Sequence, residues 1–81
     1  MLYTCPVCGF DHLTEPPLDP SFEICPSCRF QFGVHDMDRG ITFEQWREKW
    51  IAGGMMWSSK GMSKPLHWNP RKQLLNVGVK I

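Results

Sequence analysis

Two Cys-x2-Cys pairs separated by sixteen residues constrain this 81-residue chain more than any other feature. The first pair is Cys5 and Cys8, and the second is Cys25 and Cys28. Two intervening residues allow both sulfurs of a tight turn to face one ion, and the sixteen-residue segment is long enough to bring the second turn opposite the first. The spacing therefore predicts one tetrahedral site of four thiolates, with no coordination position left for water.

The identity of the bound metal follows less directly from the cysteines, because tetrahedral sites of four sulfurs accept zinc or iron. A closed zinc site supports a fold and does not carry out hydrolysis, so we expect Zn²⁺ as a structural cofactor, with iron as the alternative. Disulfides are a further alternative. We expect a cytoplasmic protein, since no signal peptide or membrane-length apolar run is visible, and cysteines in that compartment stay reduced.

The cysteine pairs lie within a near-repeat that predicts a zinc ribbon. The two copies are Cys5-Pro6-Val7-Cys8-Gly9-Phe10 and Cys25-Pro26-Ser27-Cys28-Arg29-Phe30. The proline after the first cysteine favours a turn, and Gly9 suits a position with positive φ, which Arg29 occupies in the second copy. We expect short antiparallel strands beside each turn. The predicted fold class is a small α+β metal-bound domain: a zinc ribbon followed by one clear helix and a short C-terminal helix.

The clearest helix follows the second cysteine pair, and we expect it over residues 42–53. Thr42 precedes Gln45 by three residues, which is the capping-box pattern of a helix start. A pair of glycines at 53–54 ends the pattern. Three aromatic residues share one helical face: Phe43, Trp46 and Trp50. We expect this face to pack on the ribbon, with Trp46 buried.

The C-terminal third predicts a shorter helix. Asn69 followed by Pro70 is a favourable helix start, and Gly78 ends the pattern, whereas residues 55–68 show no clean period and are expected to be irregular. The predicted organisation is a single domain over residues 1–81 with three parts: a zinc ribbon (1–34), a helix (42–53) and a basic C-terminal segment (55–81) packed on the ribbon.

Charge is distributed unevenly along the chain. Residues 1–56 carry eight acidic and four basic side chains, whereas residues 57–81 carry five basic side chains and no acidic one. Aromatic and basic residues alternate in this second part, and the candidate partner surface consists of Trp57, Lys60, Lys64, His67, Trp68, Arg71 and Lys72. Single-stranded nucleic acid is held by such stacking and phosphate contacts, which makes nucleic acid a candidate partner.

A protein partner is the favoured alternative, because the acidic side chains elsewhere would repel nucleic acid. In that case we expect Trp57 and Trp68 to be substantially buried. We also expect four basic side chains to lie on the surface near acidic ones. The bases are Lys60, Lys64, Arg71 and Lys72, and the acids include Asp36, Asp38, Glu44 and Glu48.

One family resemblance rests on the cysteine turns. The run from Tyr3 to Phe10 resembles the first turn of a rubredoxin, although rubredoxins space their cysteine pairs more widely and have a glycine at the position of Arg29. Together with Glu15-Pro16-Pro17 and residues 23–28, the run resembles the bacterial cysteine-rich CPCC family of small zinc-ribbon proteins. The chain departs from that pattern at Val7, where the motif has a further cysteine. The resemblance implies a metal-binding ribbon.

No catalytic constellation is visible in the sequence, so we do not expect an enzyme. His12 near the first pair, and His35 with Asp36 and Asp38, are the other metal-binding candidates, but we expect these side chains to be solvated. The sequence predicts a small zinc-stabilised protein-interaction module of bacterial type, with no membrane and no small-molecule substrate. The alternatives are a nucleic-acid-binding zinc ribbon and a rubredoxin-like iron electron carrier.

Overall fold

The two cysteine turns lie at the centre of the structure, which is a computed structural model that describes residues 2–17, 22–37 and 39–81. We call residues 5–10 the first knuckle and residues 25–30 the second knuckle. The two knuckles fold in the same way, and the helices and the C-terminal segment pack around them.

Each knuckle is closed by the same pair of main-chain hydrogen bonds. In the first knuckle the N–H of Gly9 donates to the oxygen of Cys5 at 2.9 Å, and the N–H of Cys5 donates to the oxygen of Phe10 at 2.7 Å. The corresponding bonds of the second knuckle measure 2.8 and 3.0 Å. The sequence repeat is therefore also a structural repeat.

Gly9 and Arg29 occupy equivalent positions in the two knuckles, and both have a positive φ. The φ angles are +86° at Gly9 and +72° at Arg29. Glycine is required in the first copy, because a Cβ on Gly9 would overlap the carbonyl oxygen of Gln73. Arg29 takes the same left-handed conformation with a full side chain, which costs about 1 kcal/mol or more.

The antiparallel strands expected beside each knuckle are not found, since the described part of the chain contains no strand. A single antiparallel bridge flanks each knuckle, joining Tyr3 to Leu13 and Ile24 to Gln31. A strand needs consecutive bridges, and the chain after Leu13 turns away from its partner. The N–H groups of Thr14 and Glu15 donate instead to the side-chain carboxylate of Glu23.

Helix α1 spans Phe43–Ala52, in agreement with the prediction from the sequence. The side-chain oxygen of Thr42 accepts from the N–H of Gln45 at 3.1 Å, and the side chain of Gln45 accepts from the N–H of Thr42 at 2.9 Å. Gly53 caps the C-terminal end. The capping box therefore begins this helix where the sequence placed it.

The buried residue of α1 is Trp50, at 9% exposure, whereas Trp46 is only partly buried. Trp46 packs against the core, so the expectation that it would be buried is met only in part. The indole N–H of Trp46 donates to the carbonyl oxygen of Cys28 at 2.8 Å, which fixes the ring beside the second knuckle. The ring remains partly accessible to solvent.

Helix α2 spans Pro70–Leu74, and a 3-10 turn at Leu75–Val77 continues it. The side chain of Asn69 accepts from a main-chain N–H in the first turn, and Gly78, with a φ of +75°, ends the 3-10 turn. The short C-terminal helix is thus confirmed, and residues 55–68 before it contain neither helix nor strand. None of the described helices is long and apolar enough to cross a membrane.

The hydrophobic core is built around the cysteine sulfurs. It combines residues of the two knuckles, one residue that follows each knuckle and one residue from each α-helix. Its buried members are Cys5, Val7, Cys8, Phe10, Leu13, Cys25, Cys28, Phe30, Phe32, Trp50 and Leu74. Residues 58 and 59 pass over the second knuckle, where both of their N–H groups donate to the oxygen of Pro26.

Candidate metal centre

The four cysteine sulfurs lie together in a buried cluster, each within 4.8 Å of the other three. Across the knuckles, the Sγ atoms of Cys5 and Cys28 are 3.8 Å apart and those of Cys8 and Cys25 are 3.6 Å apart. All four cysteines are free of disulfides. The two knuckles thus bring together the four residues that the spacing predicts as metal ligands.

The sulfur geometry fits a tetrahedral metal ion. Four sulfurs placed about 2.3 Å from a central ion form a tetrahedron with edges of about 3.8 Å. The two distances across the knuckles, 3.8 and 3.6 Å, are close to that edge. Because zinc and iron share this geometry and this ligand set, the arrangement indicates a metal site without distinguishing between the two metals.

The electrostatics of the cluster also favour a cation at its centre. Burial raises the pKa of the Cys28 thiol, and the neighbouring sulfurs of Cys25, Cys5 and Cys8 raise it further. Several thiolates in this apolar space would repel one another. A divalent cation offsets that repulsion and keeps coordinating thiols deprotonated.

Helix α1 holds the first knuckle through Arg47. Its Nε donates to the oxygen of Val7 at 2.7 Å, and one terminal nitrogen donates to the oxygen of Pro6 at 2.8 Å. The guanidinium group thereby satisfies two carbonyl groups in the turn between the first two cysteines. No sequence motif marks Arg47 for this role, because its partners are main-chain atoms about 40 residues away.

The C-terminal helix holds both knuckles through side-chain amides. The Nε2 of Gln73 donates to the oxygen of Cys8 at 3.1 Å and to the Oγ of Ser27 at 2.9 Å, and the Nδ2 of Asn76 donates to the oxygen of Gly9 at 2.9 Å. The sequence analysis did not identify these two amides. Their spacing of three residues on one helical face is the only sequence signal that relates them.

The two tryptophans of the candidate partner surface pack against other residues of the fold. Trp57 packs edge-on against Phe10 and Trp68, with ring centroids 5.7 and 5.4 Å apart. The indole N–H of Trp57 donates to the oxygen of Met62, and that of Trp68 donates to the side-chain oxygen of Gln73. Both tryptophans are partly buried, so they are less enclosed than predicted.

The basic members of the candidate partner surface are all exposed: Lys60, Lys64, His67, Arg71 and Lys72. Within the described residues, none of them forms a salt bridge with Asp36, Glu44 or Glu48, and Asp38 lies outside the described residues. Any attraction between these basic side chains and the three acids therefore acts without a direct ion pair. The exposed positive charge is left for solvent or for a partner.

The two other histidine candidates lie outside the sulfur cluster. The Nδ1 of His12 is 2.6 Å from a carboxylate oxygen of Asp11 on the surface. His35 stacks on Trp46 with ring centroids 4.5 Å apart, and its Nδ1 accepts from the N–H of Gln31. His35 is therefore partly buried and less solvated than predicted, and among the described residues it belongs to no second metal site. Among the described residues, the four cysteines are the only group of three or more metal-ligating side chains close enough to share an ion.

Comparison with known proteins finds two bacterial relatives. The uncharacterized protein YozI of Bacillus subtilis (strain 168) is 33% identical, over 67% of this chain and 60% of the relative. The uncharacterized protein YoaQ of the same strain is 32% identical, over 67% of this chain and 61% of the relative. This chain therefore spans less than two thirds of the length of either relative.

No family model matches the chain, and no solved structure matches it. The resemblance to the cysteine-rich CPCC family consequently rests on the cysteine motif and on the sulfur cluster. The comparisons thus show that this chain is similar to bacterial proteins.

Proposed function

We propose that this chain is a zinc-stabilised protein-interaction module without catalytic activity. The observation that carries the proposal is the buried cluster of four free sulfurs, which together supply a complete tetrahedral ligand set. A metal held by Cys5, Cys8, Cys25 and Cys28 has no open position for water or substrate, so its contribution is to join the two knuckles.

Zinc is preferred to iron because of the way the chain differs from the rubredoxins that its first turn resembles. The sixteen residues between the pairs are fewer than rubredoxins usually have, and Arg29 stands where the second turn of a rubredoxin has a glycine. We therefore assign the cluster a structural zinc ion, and electron transfer through iron is the alternative that a metal analysis must exclude.

A protein partner is supported by the side chains that residues 56–66 leave exposed. Three large apolar residues in that segment are exposed: Met56, Met62 and Leu66, the last by 88%. Clustered exposed apolar groups mark interaction surfaces, and methionine is enriched at protein interfaces. Base stacking is less well supported, because the rings of Trp57 and Trp68 pack against each other and against core aromatic residues.

Metal analysis tests the structural part of the proposal. We expect the protein purified under reducing conditions to contain one zinc ion per chain and to show no absorption in the visible range. Replacement of Cys25 by Ser should release the metal. It should also abolish the near-ultraviolet circular dichroism signal of the folded protein. A folded, reduced protein without metal, or a red protein that contains iron, would contradict the assignment of zinc.

Affinity capture tests the interaction part. The zinc-loaded protein is immobilised, exposed to nuclease-treated extract of its own cells, and any retained protein is identified, purified and mixed with it again. We expect a defined protein complex that is resistant to nuclease. A salt-sensitive submicromolar complex with single-stranded DNA or RNA, lost when Lys60, Lys64, Arg71 and Lys72 are all replaced by Gln, would favour the nucleic-acid alternative.

A further inference from the structure

A cavity of about 520 Å³ lies beside the second knuckle, outside the sulfur cluster. Cys25 and Pro26 of the second knuckle are among its lining residues, and its size falls within the range of about 300–1,000 Å³ that is usual for ligand pockets. The cavity is lined from three parts of the chain, namely residues 12–14, the second knuckle with the residues before it, and residues 58–62.

One wall of the cavity is a loop held in place by its own hydrogen bonds. The N–H groups of Ser58 and Ser59 both donate to the oxygen of Pro26, which fixes the loop to the second knuckle. The indole N–H of Trp57 donates to the oxygen of Met62, and the N–H of Met62 donates to the Oγ of Ser59. This wall is therefore ordered by the protein itself, without a ligand.

Another part of the cavity lining contains a carboxylate that is already hydrogen-bonded. The side chain of Glu23 accepts from the N–H and the hydroxyl of Thr14 and from the N–H of Glu15, at 3.0 to 3.2 Å. Because three donors surround this carboxylate, its charge is partly offset by the protein. Glu23 thus bonds to Thr14 and Glu15 and forms part of the cavity lining.

Two basic side chains line the same cavity and are exposed, Arg29 and Lys60. Neither forms a salt bridge among the described residues, and both add positive charge to the cavity surface. Ile24 and Met62, each 53% exposed, add apolar surface to the lining. The lining therefore combines positive charge with apolar surface, which suits a carboxylate attached next to an apolar group.

The backbone of Arg29 provides a further reason to assign the cavity a ligand. Arg29 has the left-handed conformation that Gly9 has in the first knuckle, and glycine would relieve the strain at this position. The strained residue carries a side chain that lines the cavity. Strain retained in this way is typical of residues that contact a ligand.

We propose that this cavity binds an acidic segment of a partner protein. The carboxylate of the segment pairs with Arg29 and Lys60, and a neighbouring apolar side chain packs against Ile24 and Met62. This inference rests on the proposed function, since it assigns a binding site and a chemical class to the partner. It differs from the candidate partner surface of the sequence analysis, of which it uses only Lys60.

The test uses zinc-loaded, ¹⁵N-labelled protein and two matched peptides. The first is acetyl-Leu-Glu-Leu-Glu-Leu amide, and the second has Gln in place of each Glu. We expect amide shifts concentrated at Ile24 and at residues 58–62, with the Glu peptide binding about tenfold more tightly or better, because a charge-assisted pair is lost in the Gln peptide. Equal binding of the two peptides, or no shifts at the cavity, would overturn the proposal.

Three variants locate the effect. Arg29→Gly and Lys60→Gln should each abolish the preference for the Glu peptide, whereas Lys80→Gln, which alters an exposed base outside both the cavity lining and the candidate partner surface, should leave it unchanged. Arg29→Gly should also have a melting temperature equal to or above that of the wild type, because it removes the left-handed strain. A lost preference in a protein that is at least as stable cannot be attributed to unfolding.

Two further outcomes separate this inference from the proposed function. A captured partner that binds equally well to the Arg29→Gly, Lys60→Gln double variant would overturn the cavity proposal and leave the interaction module standing. Octanoate that binds at the cavity more tightly than the Glu peptide would indicate a site for small carboxylates. That result would overturn the assignment of a protein segment to the cavity.

Discussion

The side-chain amide of Gln73 donates to the main-chain oxygen of Cys8 at 3.1 Å, so the C-terminal helix is bonded directly to a cysteine of the first knuckle. The same amide nitrogen reaches the hydroxyl of the fully buried Ser27 in the second knuckle at 2.9 Å. Its oxygen accepts from the indole of Trp68 at 2.7 Å. One side chain therefore links both knuckles to the segment that follows α1.

Replacement of Gln73 by Ala should lower the free energy of unfolding by about 2 kcal/mol or more. The variant leaves the oxygen of Cys8 and the hydroxyl of Ser27 without their donor, and an unsatisfied buried polar group costs about 1–3 kcal/mol. Lys72→Ala alters an exposed neighbour on the same helix and should change stability by less than about 0.5 kcal/mol. Urea unfolding of the zinc-loaded variants measures both free energies of unfolding. Equal stabilities of Gln73→Ala and Lys72→Ala would contradict the role of Gln73 in linking the two knuckles.

Replacement of Gly9 by Ala should prevent stable folding of the metal-bound protein. An added Cβ would overlap the carbonyl oxygen of Gln73, which is main chain inside a helix and cannot move aside without displacing α2. We expect a loss of about 3 kcal/mol or more, from the overlap together with the left-handed φ.

Gly40→Ala is the matched control for Gly9→Ala. Gly40 also has a positive φ, of +66°, but an added Cβ would meet no atom of the described residues within 4 Å. Its replacement should cost only the conformational strain, about 1 kcal/mol. Thermal unfolding should therefore rank Gly40→Ala well above Gly9→Ala. Similar melting temperatures for the two variants would show that the close approach of Gln73 is not what requires glycine in the first knuckle.

Replacement of Trp50 by Ala should destabilise the protein more than replacement of Trp46. Trp50 is nearly enclosed in the core, where truncation of an aromatic side chain costs about 3–5 kcal/mol. Trp46 is partly accessible and contributes its stacking on His35 and its bond to Cys28. Chemical unfolding of the two variants measures the difference in their free energies of unfolding. A larger loss of stability in Trp46→Ala would show that Trp50 is not the main contact of α1 with the core.

The features predictable from the sequence are those set by local chemistry. The capping box at Thr42 and the Asn69–Pro70 start depend on residues within one helical turn, and both form as predicted. The sulfur cluster was predictable because thiol spacing alone restricts which sulfurs meet. These local rules specify where elements begin and which cysteines converge.

The features that were missed depend on how elements pack over long sequence distances. Helical spacing placed Trp46 and Trp50 on one face, but only the position of the second knuckle decides which is enclosed. Ribbon strands were expected from alternation around the knuckles, yet a single bridge flanks each knuckle, and the N–H of Glu15 donates to the carboxylate of Glu23. Arg47 and Gln73 bind main-chain oxygens, which no residue pattern reveals.

The stability of the protein should decrease on acidification partly through His35. Its Nδ1 accepts from the N–H of Gln31, which requires a neutral ring. Burial lowers the pKa of His35, the charges of Arg39 and Arg29 lower it further, and only Asp36 acts in the opposite direction. The unfolded chain, with an ordinary histidine pKa of about 6.5, therefore binds the proton more readily than the folded protein.

The contribution of His35 to folding is thus complete above a pH of about 6.5 and is progressively lost below it. His35→Phe keeps an aromatic ring on Trp46 but removes the titration, while acid release of the metal remains common to both proteins. The melting temperature of the wild type should therefore fall more steeply than that of His35→Phe between pH values of about 7.5 and 5.5. Parallel pH dependences would show that the neutral ring of His35 does not contribute to the acid sensitivity of the fold.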